Sequence, residues 1–398
     1  MRNSKSMSKS IAILSLGNID LQIHSRVLRQ IHTLGSKYPV HVIAYGTRGK
    51  IKTLPAASLH IVGSLSEPRL KRILMTASFL SIGRLFPRWG YENWYWNRPG
   101  HRKAFEILSK LDVDLVLANN WWSLPLASRY KMNRPSKIVL DLHEYALDEF
   151  TDRGWLKHLY QPMIEYQFQK YLSDADATIV VNPSIANRYQ REFGIDPIVV
   201  MNAPALNETV SFKPTPLNEV KLVHHGYASP ERRLERMIEI VKYLDQRFTL
   251  TFILGGNEKY RRYLEKYALR VAPGRVYFRE WVLPDELPLV LNQFDMGIFV
   301  IPSMGFSLRN SLPNKFFEFL MACLPICVGA MPEMARIIEQ YSCGVVADTE
   351  EPEKVAAVLN VLSADDLNVM KQAAMYARRF LNAELEQKKL LELVEHLL

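Results

Sequence analysis

The sequence is short of several things that would each have named a function. It carries only three cysteines, Cys323, Cys327 and Cys343. All lie in apolar settings late in the chain, without a histidine-rich partner sequence. They read as reduced core thiols, not a zinc site, and fit a cytosolic compartment. No G-x-G-x-x-G follows a strand, and no P-loop is present. The first strand runs into Leu16-Gly17-Asn18-Ile19-Asp20, and a later one into His225-Gly226-Tyr227-Ala228-Ser229. Dinucleotide-dependent dehydrogenases and P-loop ATPases are therefore disfavoured. No apolar run approaches the roughly eighteen residues of a membrane-spanning helix. The short run Ile11 to Leu16, behind the basic start MRNSKSMSKS, is too brief for a signal-peptide core. No Asp-x-Asp pair sits where a metal would be held; the DVD of 112–114 enters a strand.

What is present is an ordinary globular composition with a basic excess. The 398 residues carry 50 lysines and arginines against 41 acids, a net charge of +9. That balance favours an anionic partner: a nucleotide, a nucleic acid or a membrane surface. Nucleic acid has only the charge in its favour, since no helix-turn-helix, zinc finger or aromatic RNA-binding signature accompanies it; it is not expected.

Along the chain, buried strands alternate with amphipathic helices. IAILSL (11–16), VHVIAYG (40–46), DLVLAN (114–119), KIVLDLH (137–143) and ATIVVN (177–182) read as strands. SRVLRQIHTLG (25–35) reads as a helix, with Val27, Leu28, Ile31 and Leu34 on one side. The proline-broken stretch APALNETVSFKPTPLNE (203–219) interrupts this rhythm and reads as a linker. The alternation then restarts with KLVHHG (221–226), a helix over 231–245, TLTFIL before Gly255-Gly256, a helix over 258–270, VYF (276–278), a helix opening at 284–286, and MGIFVIP (296–302). The segment 365–398 reads as helical. Such alternation implies an α/β protein with two doubly wound parallel sheets, whose ligands bind at the carboxyl ends of the strands. Gly17-Asn18, Asn119-Asn120 and His143-Glu144 fall at those ends.

The most informative stretch is LPNKFFEFLMACLPICVG, 312–329. Pro313-Asn314 is a helix start with Asn available as cap. Lys315 and Glu318 follow on nearly the same side. A helix N-terminus attracts phosphate through its free N–H groups and dipole, Lys315 adds a full positive charge, and a glutamate can accept two hydrogen bonds from a vicinal diol such as ribose. An i,i+3 salt bridge on a solvated face is the plainer reading of the same pair. The apolar residues that follow leave the helix little solvated face, which favours the binding site.

HHGYASPERRLERMIEIV, FREWVLPDELPLVLNQFDMGIFVIP and NSLPNKFFEFLMACLPICVG resemble, in order and spacing, the donor-binding domain of retaining glycosyltransferases of family 4. KIVLDLHEY and ATIVVNPSIANRYQREFG are similar to that family's first half. The resemblance implies a GT-B fold: two Rossmann-like domains facing a cleft, with a C-terminal helix crossing back to the first. The expected divisions are an acceptor domain over 1–203, a linker over 204–219, a donor domain over 220–375 and the crossing helix over 376–398. It also implies roles. Glu318 would hold the donor ribose. Arg232 and Lys315 would neutralise the diphosphate, Gly17 would approach it, and Gly226 would be a further donor-binding residue. Glu280, Trp281 and Val282 would contact the base. The loop 303–311, with Asn310 and Ser311, would face the transferred sugar. His143 would position that sugar, with Asn120, Trp121 and Glu144 on the acceptor side. One departure is Asn310, where the family usually has an acid eight residues before the ribose glutamate. The expected partners are a nucleotide-sugar, UDP-linked, and a glycan or lipid-linked glycan acceptor; no cofactor or metal is expected to be required. Other functions of the same architecture are a UDP-sugar 2-epimerase and a binding protein without turnover.

Several of these residues have structural readings too. Arg232 and Arg233 are adjacent and either could point inward. His143-Glu144 reads equally as a satisfied buried pair at a strand end, and Trp121 as a packed aromatic.

Residues 67–110 hold nine basic and three acidic residues. Within them Leu70, Ile73, Leu74, Ala77 and Leu80 form an apolar helical stripe beside Arg69, Lys71, Arg72 and Arg84. Phe86, Trp89, Trp94 and Trp96 follow. Such a segment (67–96) can lie on an anionic membrane or pack on its own domain with a solvated basic face. The expected location is cytoplasmic, with a peripheral site on the inner membrane face.

Overall fold

The computed structural model describes residues 9–17, 21, 24–46, 57–63, 69–149, 154–302 and 305–398. They form two compact units, one of residues 1–200 with 387–398, the other of 201–386.

In the first unit the elements run β1 (Ile11–Ser15), α1 (Ser25–Gly35), β2 (Val40–Ala44), β3 (Ala57–Ile61), α2 (Arg69–Leu85), α3 (Pro87–Trp96), α4 (Pro99–Lys110), β4 (Leu115–Asn119), α5 (Leu124–Lys131), β5 (Lys137–His143), α6 (Gly154–Tyr171), β6 (Ala177–Val180), α7 (Pro183–Phe193) and β7 (Ile198–Val199). The strands pair in parallel in the order β3-β2-β1-β4-β5-β6-β7. β1 and β4 are wholly buried, as strands covered on both faces by helices must be. The helix α7 shows why its ends fall where they do. The Asn182 side chain accepts from the Ile185 N–H, Pro183 opens the first turn, and Gly194 takes the left-handed conformation that stops it.

In the second unit β8 (Val220–Ala228), α8 (Glu235–Tyr243), β9 (Phe248–Gly256), α9 (Glu258–Val271), β10 (Val276–Glu280), α10 (Leu287–Leu291), β11 (Met296–Phe299), α11 (Phe306–Arg309), α12 (Asn314–Met321), β12 (Ile326–Val328), α13 (Pro332–Tyr341), β13 (Gly344–Val346), α14 (Pro352–Asn360) and α15 (Ala364–Ala377) follow. The sheet order is β10-β9-β8-β11-β12-β13, again parallel. In both sheets the strand order reverses beside the first strand, between β1 and β4 and between β8 and β11. Open α/β sheets take their ligands at such a reversal.

Several expectations need correction. The final segment is two helices, α15 and α16 (Ala383–Leu397). Asn382 separates them; its Oδ1 accepts the Leu385 N–H and so starts the second. Residues 387–398 of α16 belong to the first unit, where Leu390 and Val394 are buried in the core with Ile11, Ile13, Val27 and Val40. The helix expected over 231–245 is a 3-10 turn (230–232), then α8 from Glu235. Arg233, at φ 44°, breaks the path between them. Asn314 is not a cap but the first helical residue. The cap position is Pro313, whose extended backbone makes no side-chain hydrogen bond. Three strands, β3, β7 and β13, have no counterpart in the sequence reading: β3 carries Ser58 and His60 on a partly exposed edge, β7 has two residues, and β13 is a three-residue edge strand.

Candidate functional site

In the second unit the carboxyl end of β8 meets the N-terminus of α12. Lys315, in the first turn of α12, is 7% exposed. Its Nζ has no hydrogen-bond partner among the described residues; it stands 4.9 Å from the Phe299 ring centroid, at the end of β11. A buried ammonium is costly unless paired. Burial, and then the nearby Arg232 guanidinium, pull its pKa down to about 7, against the opposing pull of Glu318. The structure thus decides between neighbours: Arg232 is the half-buried arginine beside Lys315, while Arg233 is exposed. Gly226, at φ +137°, leaves the room: a Cβ there would stand 2.8 Å from the Lys315 Nζ.

Glu318 lies one turn on. Among the described residues neither it nor any other group hydrogen-bonds the Lys315 Nζ. The Glu318 Oε2 is 3.4 Å from His225 Nε2, and burial together with Lys315 takes that imidazole down to about 3, so the ring is neutral. His224 is likewise held well below its ordinary value by burial and Lys315. Two cationic side chains, one carboxylate and two neutral imidazoles therefore gather where the strand order reverses. His225 was missed as a site residue, although the His224-His225-Gly226 run at a strand end could have signalled it.

The other expected donor residues lie on the same sheet's carboxyl side. Trp281, just after β10, is half exposed, and its ring packs over Gly255, where a Cβ would come within 3.2 Å. Glu280 pairs with Arg261 at 2.6 Å. Val282 is partly buried against the core. Asn310 closes α11, and its Nδ2 donates to the Phe306 carbonyl at 2.9 Å. The N–H groups of Arg309, Asn310 and Ser311 are spent on Gly305, Phe306 and Leu308. Ser303 and Met304 of the expected sugar-facing loop lie outside the described residues.

In the first unit His143 ends β5 in a left-handed conformation, φ 54°, at a bulge in the pairing with β6. Such conformations in a non-glycine residue cost energy and cluster at functional sites. Its Nε2 is 3.1 Å from Asn119 Oδ1 and 3.4 Å from Asp141 Oδ2. Asp141 is fully buried and accepts from Arg26 Nε at 2.6 Å, Gln30 Nε2 at 2.6 Å and the His143 N–H at 3.2 Å. Burial would raise this carboxyl, but Arg26 and His143 hold it far below the usual range. The His24 ring meets His143 edge-on at 5.1 Å; burial and then His143 lower its pKa to about 4. Sequence reading missed Arg26, Gln30 and Asp141. Their signal was polar residues on the otherwise apolar side of α1 and inside KIVLDLH.

Glu144 is exposed, so His143-Glu144 is not a buried pair. Asn120 takes φ 61°, ψ 162°, and its N–H donates to the Asp141 carbonyl at 2.7 Å. Trp121 is a packed aromatic: it is buried, its ring stacks on Trp122 at 3.9 Å, and its indole N–H donates to Glu149. Among the described residues a Cβ on Gly17 would meet Asn120 Nδ2 at 3.5 Å, an ordinary contact. Among the described residues no three His, Cys, Asp or Glu side chains gather as metal ligands, and no helix is long and apolar enough to cross a membrane.

The sequence profile described as Glycosyltransferase Family 4 matches residues 25–203, and that described as Glycosyl transferases group 1 matches residues 219–365. No curated protein sequence matches the chain significantly. Among solved structures, HepE from Anabaena in complex with UDP superposes with a TM-score of 0.70 at 13% identity, over 98% of this chain and 100% of that one. Sucrose-phosphate synthase from Thermosynechococcus elongatus gives 0.68 at 15%, over 98% and 99%. An E. coli protein described as trehalose-6-phosphate bound with UDP-2-fluoro glucose gives 0.68 at 12%, over 96% and 98%. These likenesses establish the fold. The profile matches in both halves make the chain a glycosyltransferase of family 4, and its fold is GT-B.

Proposed function

We propose that the chain transfers a hexosyl group, with retention of configuration, from a UDP-linked sugar to a glycan or lipid-linked glycan, in cytoplasmic steps of cell-surface polysaccharide synthesis. The observation that carries this reading is the buried Lys315 Nζ, without a hydrogen-bond partner among the described residues, beside Arg232 at a helix N-terminus. Cleavage of a sugar–diphosphate bond builds negative charge on the leaving group, and fixed cations with oriented N–H groups stabilise that charge in the transition state. Lys315 and Arg232 bind the diphosphate, and Glu318 accepts from the ribose hydroxyls. In the first unit, His143 is held by Asn119 and Asp141, and the family resemblance gives it the role of a sugar-positioning residue. Retention then needs no protein nucleophile, because the departing phosphate oxygen can take the acceptor proton. The UDP preference draws support from HepE, which has been solved with UDP and with UDP-glucose.

The test is turnover of a panel of UDP-sugars with glycan acceptors, followed by NMR of the product anomer. Free UDP and a new glycosidic bond of the donor's configuration support the reading. An inverted linkage contradicts retention. A sugar changed at C2 without transfer means an epimerase, and donor binding without turnover means a binding protein.

A further inference from the structure

The helices α2 and α3 form a hairpin whose tip is unusual. Residues 84–89, Arg-Leu-Phe-Pro-Arg-Trp, are all exposed. Leu85 is 79% exposed, Phe86 65% and Trp89 55%, with Ile82 and Met75 above a third. The hairpin is firmly built beneath this tip. The helices touch backbone to backbone at Gly83 and Gly90, where a Cβ on Gly90 would lie 2.4 Å from the Gly83 Cα. Tyr91 packs on Tyr166 of α6. The apolar tip is therefore a fixed projection.

From this geometry we infer that the α2–α3 tip is a membrane-docking wedge, which places Leu85, Phe86 and Trp89 in the interface of an anionic bilayer. The inference goes beyond the donor chemistry and does not depend on it. Charge complementarity selects the occupant: Arg84 and Arg88 flank the apolar residues, and the tip holds no acid. The nearest acid along α3, Glu92, is engaged by Lys170, Tyr171 and Trp96. Leucine and large aromatics beside arginines suit the interface, where apolar bodies enter the acyl boundary and the charges stay with the headgroups. A second copy of the chain is a poor occupant. A stable dimer uses about 20–30 residues a side, and this projection offers a handful.

The experiment is flotation of the full chain with vesicles of phosphatidylcholine alone or mixed with phosphatidylglycerol. It compares the wild type with a triple variant, Leu85→Ser, Phe86→Ser and Trp89→Ser, and a double variant, Arg84→Gln and Arg88→Gln. All five positions are exposed, and far-UV circular dichroism checks each fold. The wild type should float with the anionic vesicles. The triple variant should lose about tenfold or more in vesicle affinity, and the double variant should lose its preference for anionic lipid. Wild-type protein that ignores both vesicles, or binding unchanged in the triple variant, overturns the inference. So does concentration-dependent self-association that the triple variant abolishes, which would make the tip an interface between copies. UDP binding measured alongside reports on the donor reading separately.

Discussion

Gly226 and Lys315 share one space. The Lys315 Nζ stands 2.8 Å from where a side chain on residue 226 would begin, so the bare backbone of one is what lets the ammonium of the other reach its place. Gly226→Ala should displace the lysine head and strain a backbone at φ +137°, a region that L-residues rarely adopt. We expect about tenfold or greater loss of UDP affinity with about 1–2 kcal/mol lost stability, measured by calorimetric titration and urea unfolding.

Lys315 should be a liability to the folded chain. Its pKa falls from an ordinary value near 10.5 to about 7, so burial costs the protonated form more than the neutral one. With a folded value below the unfolded one, the unfolded state holds more protons between about pH 7 and 10, and stability rises with pH across that window. Lys315→Met keeps the volume and removes the charge. It should raise stability at pH 6 by roughly 1–3 kcal/mol and weaken nucleotide binding. Equal unfolding midpoints for variant and wild type would contradict this.

If Lys315 anchors the donor diphosphate as proposed, donor binding should be proton-linked. A UDP-sugar has no ionisation near neutrality, and a bound diphosphate should restore the Lys315 proton. Below pH 7 the lysine is already charged; above it, binding must take a proton up. Arg232 beside it stays charged, and His224 and His225 are already neutral in this range. Affinity should fall as pH rises from 6 to 9, with uptake approaching one proton at the upper end. Titration in buffers of different ionisation enthalpy measures that uptake directly.

Asp141 carries a structural load beneath His143. Asp141→Asn leaves Arg26 buried without its counter-charge, and breaking such a pair typically costs about 3–5 kcal/mol. The wild-type carboxyl sits below its unfolded value of about 3.9, so its contribution is complete above that pH and drains away as pH falls below it. Acid unfolding of wild type and Asp141→Asn should therefore converge at low pH. A gap that stays constant from pH 7 to pH 2 would deny the linkage.

Truncation at Ala383 removes Leu390 and Val394 from the first unit's core. Loss of two buried aliphatic side chains costs several kcal/mol, about 2–5 for a leucine alone. Six of the seven tryptophans, 89, 94, 96, 121, 122 and 155, lie in that unit, so tryptophan fluorescence should report its earlier thermal unfolding. An unchanged transition would count against this packing.

The fold was legible because buried parallel strands are written as nearly continuous apolar runs: IAIL, LVLA and FIL before Gly255-Gly256 announce themselves. The edge strands β3 and β13 and the two-residue β7 were not, since partial exposure and shortness erase the pattern. Lys315 and Glu318 stood out as charges in an apolar helix. Sequence could not show that the Lys315 head turns inward, because that depends on space left by Gly226 in a distant strand. Nor could it separate Arg232 from Arg233; a left-handed residue between a 3-10 turn and α8 decides that. Trp121 misled because an aromatic beside a strand end looks the same whether it faces a ligand or the core.

The account turns on Lys315 as the anchor of a nucleotide diphosphate. Its most direct test is calorimetric titration of wild-type protein and Lys315→Ala with UDP, and with GDP, ADP and NAD as comparators. The account predicts UDP binding by the wild type in preference to the others and its loss by about tenfold or more in the variant, about 1.4 kcal/mol for each tenfold. UDP binding unchanged in Lys315→Ala, or no nucleotide bound by either protein, would contradict it.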